Sequence, residues 1–339
     1  MRNRYITLLI MPIILAALYQ SRTALLRTWS TSPFASRLAW TASTISAHNK
    51  MSTFQHPDYH IPITLPTGLS QSQLLAFPPF NSWLTTLTTS LTTQHTTPSH
   101  PFHTSPYTLH AITIQAFDLF GPNRLGFVKL TSTITNAHGE ALPGAVFLRG
   151  PSVAMLVMLI PDDVPTDCGD GGDDRDERYV LLTVQPRVAA GSLEFVELPA
   201  GMVDEEGGFA GQAAREMEEE LGIVIGEGEL VGLSELVGGD GDGDGEEGGA
   251  VGEGGGLPRA VYPSAGGCDE YIPIYMHERR VPRAQLGEWT GKLTGLREEG
   301  EKITLKLVRM RDLWKEGARD AKCLAAVALW EGLRREGKI

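Results

Sequence analysis

Three carboxylates, Glu216, Glu219 and Glu220, crowd into the run Arg215-Glu-Met-Glu-Glu-Glu-Leu-Gly-Ile223. Residues three and four apart are neighbours on a helix, so the spacing predicts one acidic face. Each like-charge pair there destabilises an isolated helix by about 0.2–0.5 kcal/mol. A segment built this way calls for a cation. Hard divalent ions take oxygen ligands, and Mg²⁺ commonly bridges one or two carboxylates to substrate phosphates. An acidic run alone is more often a solvated face, so the flanking elements decide between the two.

Ala210 to Leu221 reads as a helix, with Phe209, Ala213, Met217 and Leu221 recurring every four residues as its buried stripe. Gly222 follows the last periodic residue as a stop. Upstream, Gly201 to Gly208 is a loop with glycines at both ends, and Ser192 to Leu198 alternates as a strand. The order is strand, glycine-bounded loop, acidic helix, with Glu197-Leu-Pro-Ala-Gly201 at the strand's exit.

This order resembles the Nudix hydrolase signature: Gly, five residues, Glu, seven residues, Arg-Glu, apolar, any, Glu-Glu, any, Gly, apolar. Gly201, Arg215, Glu216, Met217, Glu219, Glu220, Gly222 and Ile223 fall in register. One position departs: Gly207 stands where the signature has its first glutamate, with Glu205 and Glu206 as neighbouring substitutes. The departure bears on the number of metal ions.

Further segments resemble the ADP-sugar diphosphatases of plant plastids, relatives of the ADP-ribose diphosphatases. They are Phe117-Asp-Leu-Phe-Gly121, Val146-Phe-Leu-Arg-Gly150, Tyr262-Pro-Ser-Ala-Gly-Gly-Cys-Asp-Glu270 and Thr294-Gly-Leu-Arg-Glu-Glu-Gly-Glu301. The resemblance implies a Nudix α/β/α sandwich with a mixed sheet, preceded by a small N-terminal β-rich region. It also implies hydrolysis of ADP-linked sugars to AMP and a sugar phosphate, with Mg²⁺ or Mn²⁺. Glu216 and Glu220 would be the central metal ligands, joined by the Ala200 carbonyl and Glu301, with Glu219 on the same catalytic face. Arg215 would pair with a carboxylate and hold the loop to the helix. Glu299 or Glu298, on a downstream loop, would activate the water. Gly201, Gly267 and Glu270 would lie along the substrate, although Gly266-Gly267 is equally a turn signal. Arg187 would contact phosphate or sugar, its planar fork suiting a phosphate; the alternative is a surface arginine paired with a carboxylate. A homodimer through the N-terminal strands is implied in the same way. Other readings are a Nudix diphosphatase for NADH or a UDP-sugar, and a Nudix-fold protein that binds nucleotides without catalysis.

The residue types suit this chemistry. Two ions about 3.5–4 Å apart can clamp both sides of an in-line displacement at a diphosphate and lower the pKa of bound water. A carboxylate on a mobile loop takes the proton once closure brings it within reach.

The remainder of the 339 residues bounds the problem. A net charge of −12 argues against nucleic acid as a main partner. Cys168, Cys268 and Cys323 make neither a CxxC pair nor an even disulfide framework, and Cys323 lies in an apolar helical run. Residues 1–57 contain Arg2, Arg4, Arg22, Arg27, Arg37 and Lys50 but no Asp or Glu, a composition typical of a mitochondrial targeting segment. The apolar run Tyr5–Tyr19 is short of the ~20 residues of a membrane span, and a start at Met51 would give a cytoplasmic form. Residues 58–105 read as a Thr/Ser/Pro linker with short helices between Ser70 and Leu91, and His95, His100, His103 and His110 as part of it. Strands are expected at Leu109–Phe117, Phe127–Thr135, Ala145–Leu148 and Val153–Ile160, with a turn at His138-Gly139-Glu140. This divides the chain into an N-terminal strand region, 106–150, and a Nudix domain, 151–339. Two acidic Gly-rich inserts, 162–177 and 238–256, have the composition of disordered segments. Asp320 to Arg335 reads as a helix with Leu324, Val327, Ala328 and Leu333 inward.

Overall fold

The computed structural model describes residues 51–121, 123–164, 177–203, 208–237, 257–295 and 302–339. Strands β1 (Ser52–Gln55), β2 (Pro62–Leu65), β3 (Thr108–Phe120), β4 (Arg124–Thr135) and β5 (Ala145–Leu148) form a five-stranded sheet in that order. Only β2 and β3 run parallel. Alternation decides its faces. Ile112 and Ile114 on β3, and Val128 and Leu130 on β4, point into a core beneath two helices. These helices are α1 (Gln71–Leu75) and α2 (Pro78–Thr96). Ser70 caps α1 through a capping box with Gln73, and Pro78 opens α2 at its first turn, where a missing N–H is harmless.

The segment expected to be a linker is therefore core. Ile63, Leu65, Leu74, Phe80 and Leu84 are fully or almost fully buried. Its threonines misled the composition. Thr88, Thr89, Thr92 and Thr93 occupy the outer face of α2 and donate their hydroxyls to carbonyls four residues back, while the sparse apolar positions point to the sheet. His103 and His110 bond locally, to the Gln94 carbonyl and the Thr135 hydroxyl. Ile63→Val should destabilise the fold by about 0.5–1.5 kcal/mol in urea unfolding, whereas a change in a true linker would leave the midpoint in place.

The second sheet is mixed. Its path is β10 (Val231–Gly232), β11 (Ile274–Val281), β6 (Ser152–Pro161), β7 (Tyr179–Arg187), β13 (Ile303–Arg309) and β12 (Leu293–Thr294). Strand β8 (Ser192–Glu197) pairs with β7 and β9 (Ala200–Met202) with β6. Strand β6 is buried on both sides. Its Val153, Met155, Val157 and Leu159 meet helix α3 (Phe209–Glu216) through Phe209 and Ala213. Its Ala154, Leu156 and Met158 meet helix α4 (Ala321–Arg335) on the opposite face. The architecture is an α/β/α sandwich with a mixed sheet, preceded by a β-rich N-terminal region, as the sequence predicts.

Helix α4 meets the expectation at Leu333, which is buried, and at Val327, which packs partly buried on the core, and departs from it at Leu324 and Ala328, which are exposed. Cys323, Ala326, Trp330 and Leu333 form its buried stripe. Its N-cap, Asp320, is buried and accepts the Leu198 amide at 2.9 Å, which pins the first turn with Cys323 inward.

Among the described residues, no helix is long and apolar enough to cross a membrane.

Candidate active site

The acidic helix closes onto β9. The Ala200 amide donates to Glu220 Oε2 at 3.2 Å, and Glu220 is only 2% exposed. One residue on, Gly201 lies directly beneath Glu216, where even a methyl group would overlap the Glu216 carboxyl. Glycine at 201 admits the Glu216 carboxyl by close approach; its φ is ordinary. Gln212 Nε2 donates to Glu216 Oε1 at 2.8 Å, and Arg215 donates to Gln212 Oε1 at 2.7 Å. Arg215 thus reaches Glu216 through an amide relay.

The helix does not continue as an ideal α-helix. After Glu216 it widens into a π-turn, Met217–Leu221, ended by Gly222 at φ +68°. This changes the expected single acidic face. Glu220 is carried inward against β9 and Glu219 outward, where it is exposed. Single π-turns inside α-helices are frequent at functional sites. Met217 and Leu221 stay buried through it, so the apolar stripe and the altered carboxylate placement coexist.

Behind the strand lies a buried ionic group. Glu197, 3% exposed, receives Arg187 Nε at 2.6 Å and Lys322 Nζ at 3.0 Å. Lys322 also meets Asp320 at 2.9 Å. Burial works against the charges of Arg187 and Lys322, but the neighbouring carboxylates outweigh it and raise both pKa values. Arg187 therefore has the carboxylate partner of its surface-arginine alternative, while its side chain remains 41% exposed. Lys322 and Asp320 carried no functional reading from sequence; Lys322 is 125 residues from the carboxylate it bonds.

Glu270 and Gly267 lie apart from the acidic helix in their bonding. Glu270 is held by Arg149 Nη1 at 3.3 Å and the Ser152 hydroxyl at 2.8 Å. Gly267 follows a turn from Ser264, and its carbonyl accepts the Phe147 amide at the edge of β5. The turn reading thus describes the local structure. Asp269 accepts the Arg149 amide at 2.8 Å and the Gly150 amide at 3.1 Å, which ties this loop to the junction between the sheets. Burial raises the Asp269 pKa despite these bonds. Its folded value thus exceeds the unfolded one, and its stabilising contribution is lost as pH rises through that value. The stability of wild type relative to Asp269→Asn should fall as pH rises above the ordinary carboxylate range of about 4, read from urea midpoints.

Glu298, Glu299 and Glu301 lie outside the described residues, as do Glu205, Glu206 and Gly207. Among the described residues, no three His, Cys, Asp or Glu side chains group for a metal ion. The donors the structure brings together are the carboxylates of Glu216 and Glu220 at the Ala200–Gly201 backbone. An all-oxygen set of this kind suits a hard divalent cation.

Fold and site together define an α/β/α protein that sets two carboxylates of a π-turned helix against a Gly-containing strand. The chain is 37% identical over 234 residues to "Nudix hydrolase 14, chloroplastic" of Arabidopsis thaliana, across 68% of this chain and 65% of that protein, and is its homologue. It thus spans just under two thirds of that relative. No protein-family model matches the chain. A solved "ADP compounds hydrolase" aligns at 16% identity and a TM-score of 0.40, over 68% of this chain and 99% of that one.

Proposed function

We propose that the protein is a Nudix hydrolase that cleaves the diphosphate bond of ADP-linked sugars, ADP-ribose and ADP-glucose, to AMP and a sugar phosphate. The observation that carries the reading is the seating of Glu216 over Gly201 beside Glu220 at the Ala200 amide. That arrangement lines the Ala200–Gly201 backbone with two carboxylates, one of them buried. Glu216, Glu220 and the Ala200 carbonyl would hold Mg²⁺ or Mn²⁺, with Glu301 as a further ligand. When bound, the ion offsets diphosphate charge and lowers the pKa of a coordinated water.

The chain's own groups supply the rest. Gln212 orients Glu216, and Arg215 orients Gln212. Arg187 is fixed through Nε, and its terminal nitrogens make no hydrogen bond among the described residues, so they are available to a phosphate. Glu299 or Glu298 takes the proton from the attacking water, and Glu219, exposed beside Glu220, adds negative charge at the mouth. Gly267 and Glu270 would border the sugar. The reading extends to a homodimer, checked by sedimentation, and to a mitochondrial form, checked by N-terminal sequencing of the native protein.

The test is direct. Purified protein is incubated with ADP-ribose, ADP-glucose, NADH and UDP-glucose, in Mg²⁺ and in Mn²⁺, and AMP and UMP are measured. AMP from the two ADP-sugars ahead of the other substrates is expected. Preference for NADH or UDP-glucose would reassign the substrate, and no turnover of any diphosphate would refute the enzyme.

A further inference from the structure

The buried charges behind β9 do more than stabilise. Glu197 and Asp320 are 3% and 4% exposed, and the Lys322 side chain between them 13%. Desolvating ions costs several kcal/mol each, and packed apolar residues commonly replace a buried ionic group with no loss of stability. What apolar residues cannot do is fix a charged group in one orientation. Here the group at the end of the chain of contacts is Arg187. Its Nε is bonded to the oxygen of Glu197 that Lys322 does not hold: Oε1 to Arg187 and Oε2 to Lys322. Lys322 is in turn anchored by Asp320, which accepts the Leu198 amide with one oxygen and the Lys322 amide with the other. Both carboxylates are therefore tied at two sides, and Arg187 feels the charges of Glu220 and Asp320 as well as Glu197.

We infer that Lys322 is a positioning residue for anion recognition: it locks Glu197 from behind, and Glu197 holds Arg187 by Nε with its two terminal nitrogens presented to the phosphates of the substrate. The identity of the anion rests on the proposed function; the coupling of Lys322 to Arg187 does not. Lys322 touches no substrate and acts through two other side chains. Without it, Glu197 keeps Arg187 as its one ionic partner among the described residues, and the pair is free to swing together.

The experiment uses the full chain in two forms, Lys322→Met and the charge-balanced Lys322→Met/Asp320→Asn. In the second, the asparagine oxygen can still accept the Lys322 amide and cap α4, at the loss of the Leu198 bond, and no carboxylate is left there without its lysine; whichever form folds by circular dichroism is the one measured. The first measurement needs no substrate. The Arg187 Nε–H resonance, assigned by its loss in Arg187→Gln, should shift and exchange with water about tenfold faster, as expected for a charge-assisted bond that has lost its fixed geometry. An unchanged resonance overturns the inference. The second measurement is steady-state hydrolysis of ADP-ribose. KM should rise about tenfold with kcat within about threefold, and the rise should vanish in an Arg187→Gln background, because coupled residues are not additive. A rise of equal size in that background would mean a general structural effect and overturns the inference. If wild type hydrolyses no ADP-sugar, the proposed function fails, and the resonance alone decides the coupling.

Discussion

Glu220→Gln is expected to lower kcat for ADP-ribose by about a thousandfold while shifting the urea midpoint little. The side chain is almost fully buried and accepts the Ala200 amide. Glutamine has the same shape, and its carbonyl oxygen can accept the same bond, so the contact between helix and β9 survives. What is lost is the negative charge that the proposed function sets against a cation. Charge stabilisation by a bound ion is worth several kcal/mol, and each ~1.4 kcal/mol is tenfold in rate. Glu219→Gln is the internal comparison. Glu219 is exposed, so its charge acts through water, where interactions are screened, and the loss should be tenfold or less by the same conversion. Equal losses at the two positions would mean that the inward turn of Glu220 does not select the ligand. Unchanged activity in Glu220→Gln, with circular dichroism intact, would remove Glu220 from the site.

Much of this was legible because local patterns carry the physics. Strands β3 and β4 follow from apolar alternation and β6 from a continuous apolar run, and β5 was read at its observed bounds, Ala145–Leu148. The stripe Phe209, Ala213, Met217, Leu221 is buried as the period of four predicts. The π-turn was not legible, since the same stripe survives it. Whether three carboxylates share a face depends on a fraction of a turn that no residue type announces. In α2 the threonines outnumber the apolar residues, so composition outweighed the few side chains that matter, Phe80 and Leu84. In α4 the first turn is pinned by Asp320 reaching Leu198 across the fold, a contact spanning 122 residues. Lys322 is the same case: an ordinary helical lysine in sequence, and a buried one only because Glu197 and Asp320 meet there. Arg187 and Glu197 are ten residues apart on a hairpin, and that pairing was within reach of sequence once β7 and β8 were both recognised.

Gly201→Ala should be at least as damaging to activity as Glu220→Gln and, unlike it, should also destabilise the fold. The added methyl would overlap the Glu216 carboxyl, so that carboxyl must leave its seat. Leaving it costs the bond from Gln212, and the helix beneath it is packed by Ala213 and Met217 at full burial. Either the helix moves off β9, which also breaks the bond from the Ala200 amide to Glu220, or Glu216 leaves its rotamer. Overpacking of this kind costs typically about 1–3 kcal/mol, and displacement of the carboxylates removes the cation site, for a loss in kcat of about a thousandfold or more. The two effects separate in the double variant Gly201→Ala/Glu216→Asp. Aspartate is one methylene shorter and makes room for the methyl, so most of the urea midpoint should return. Activity should not, because the carboxylate now ends short of its place above β9. Full activity in Gly201→Ala, or activity regained together with stability in the double variant, would show that Glu216 does not act from its seat over Gly201.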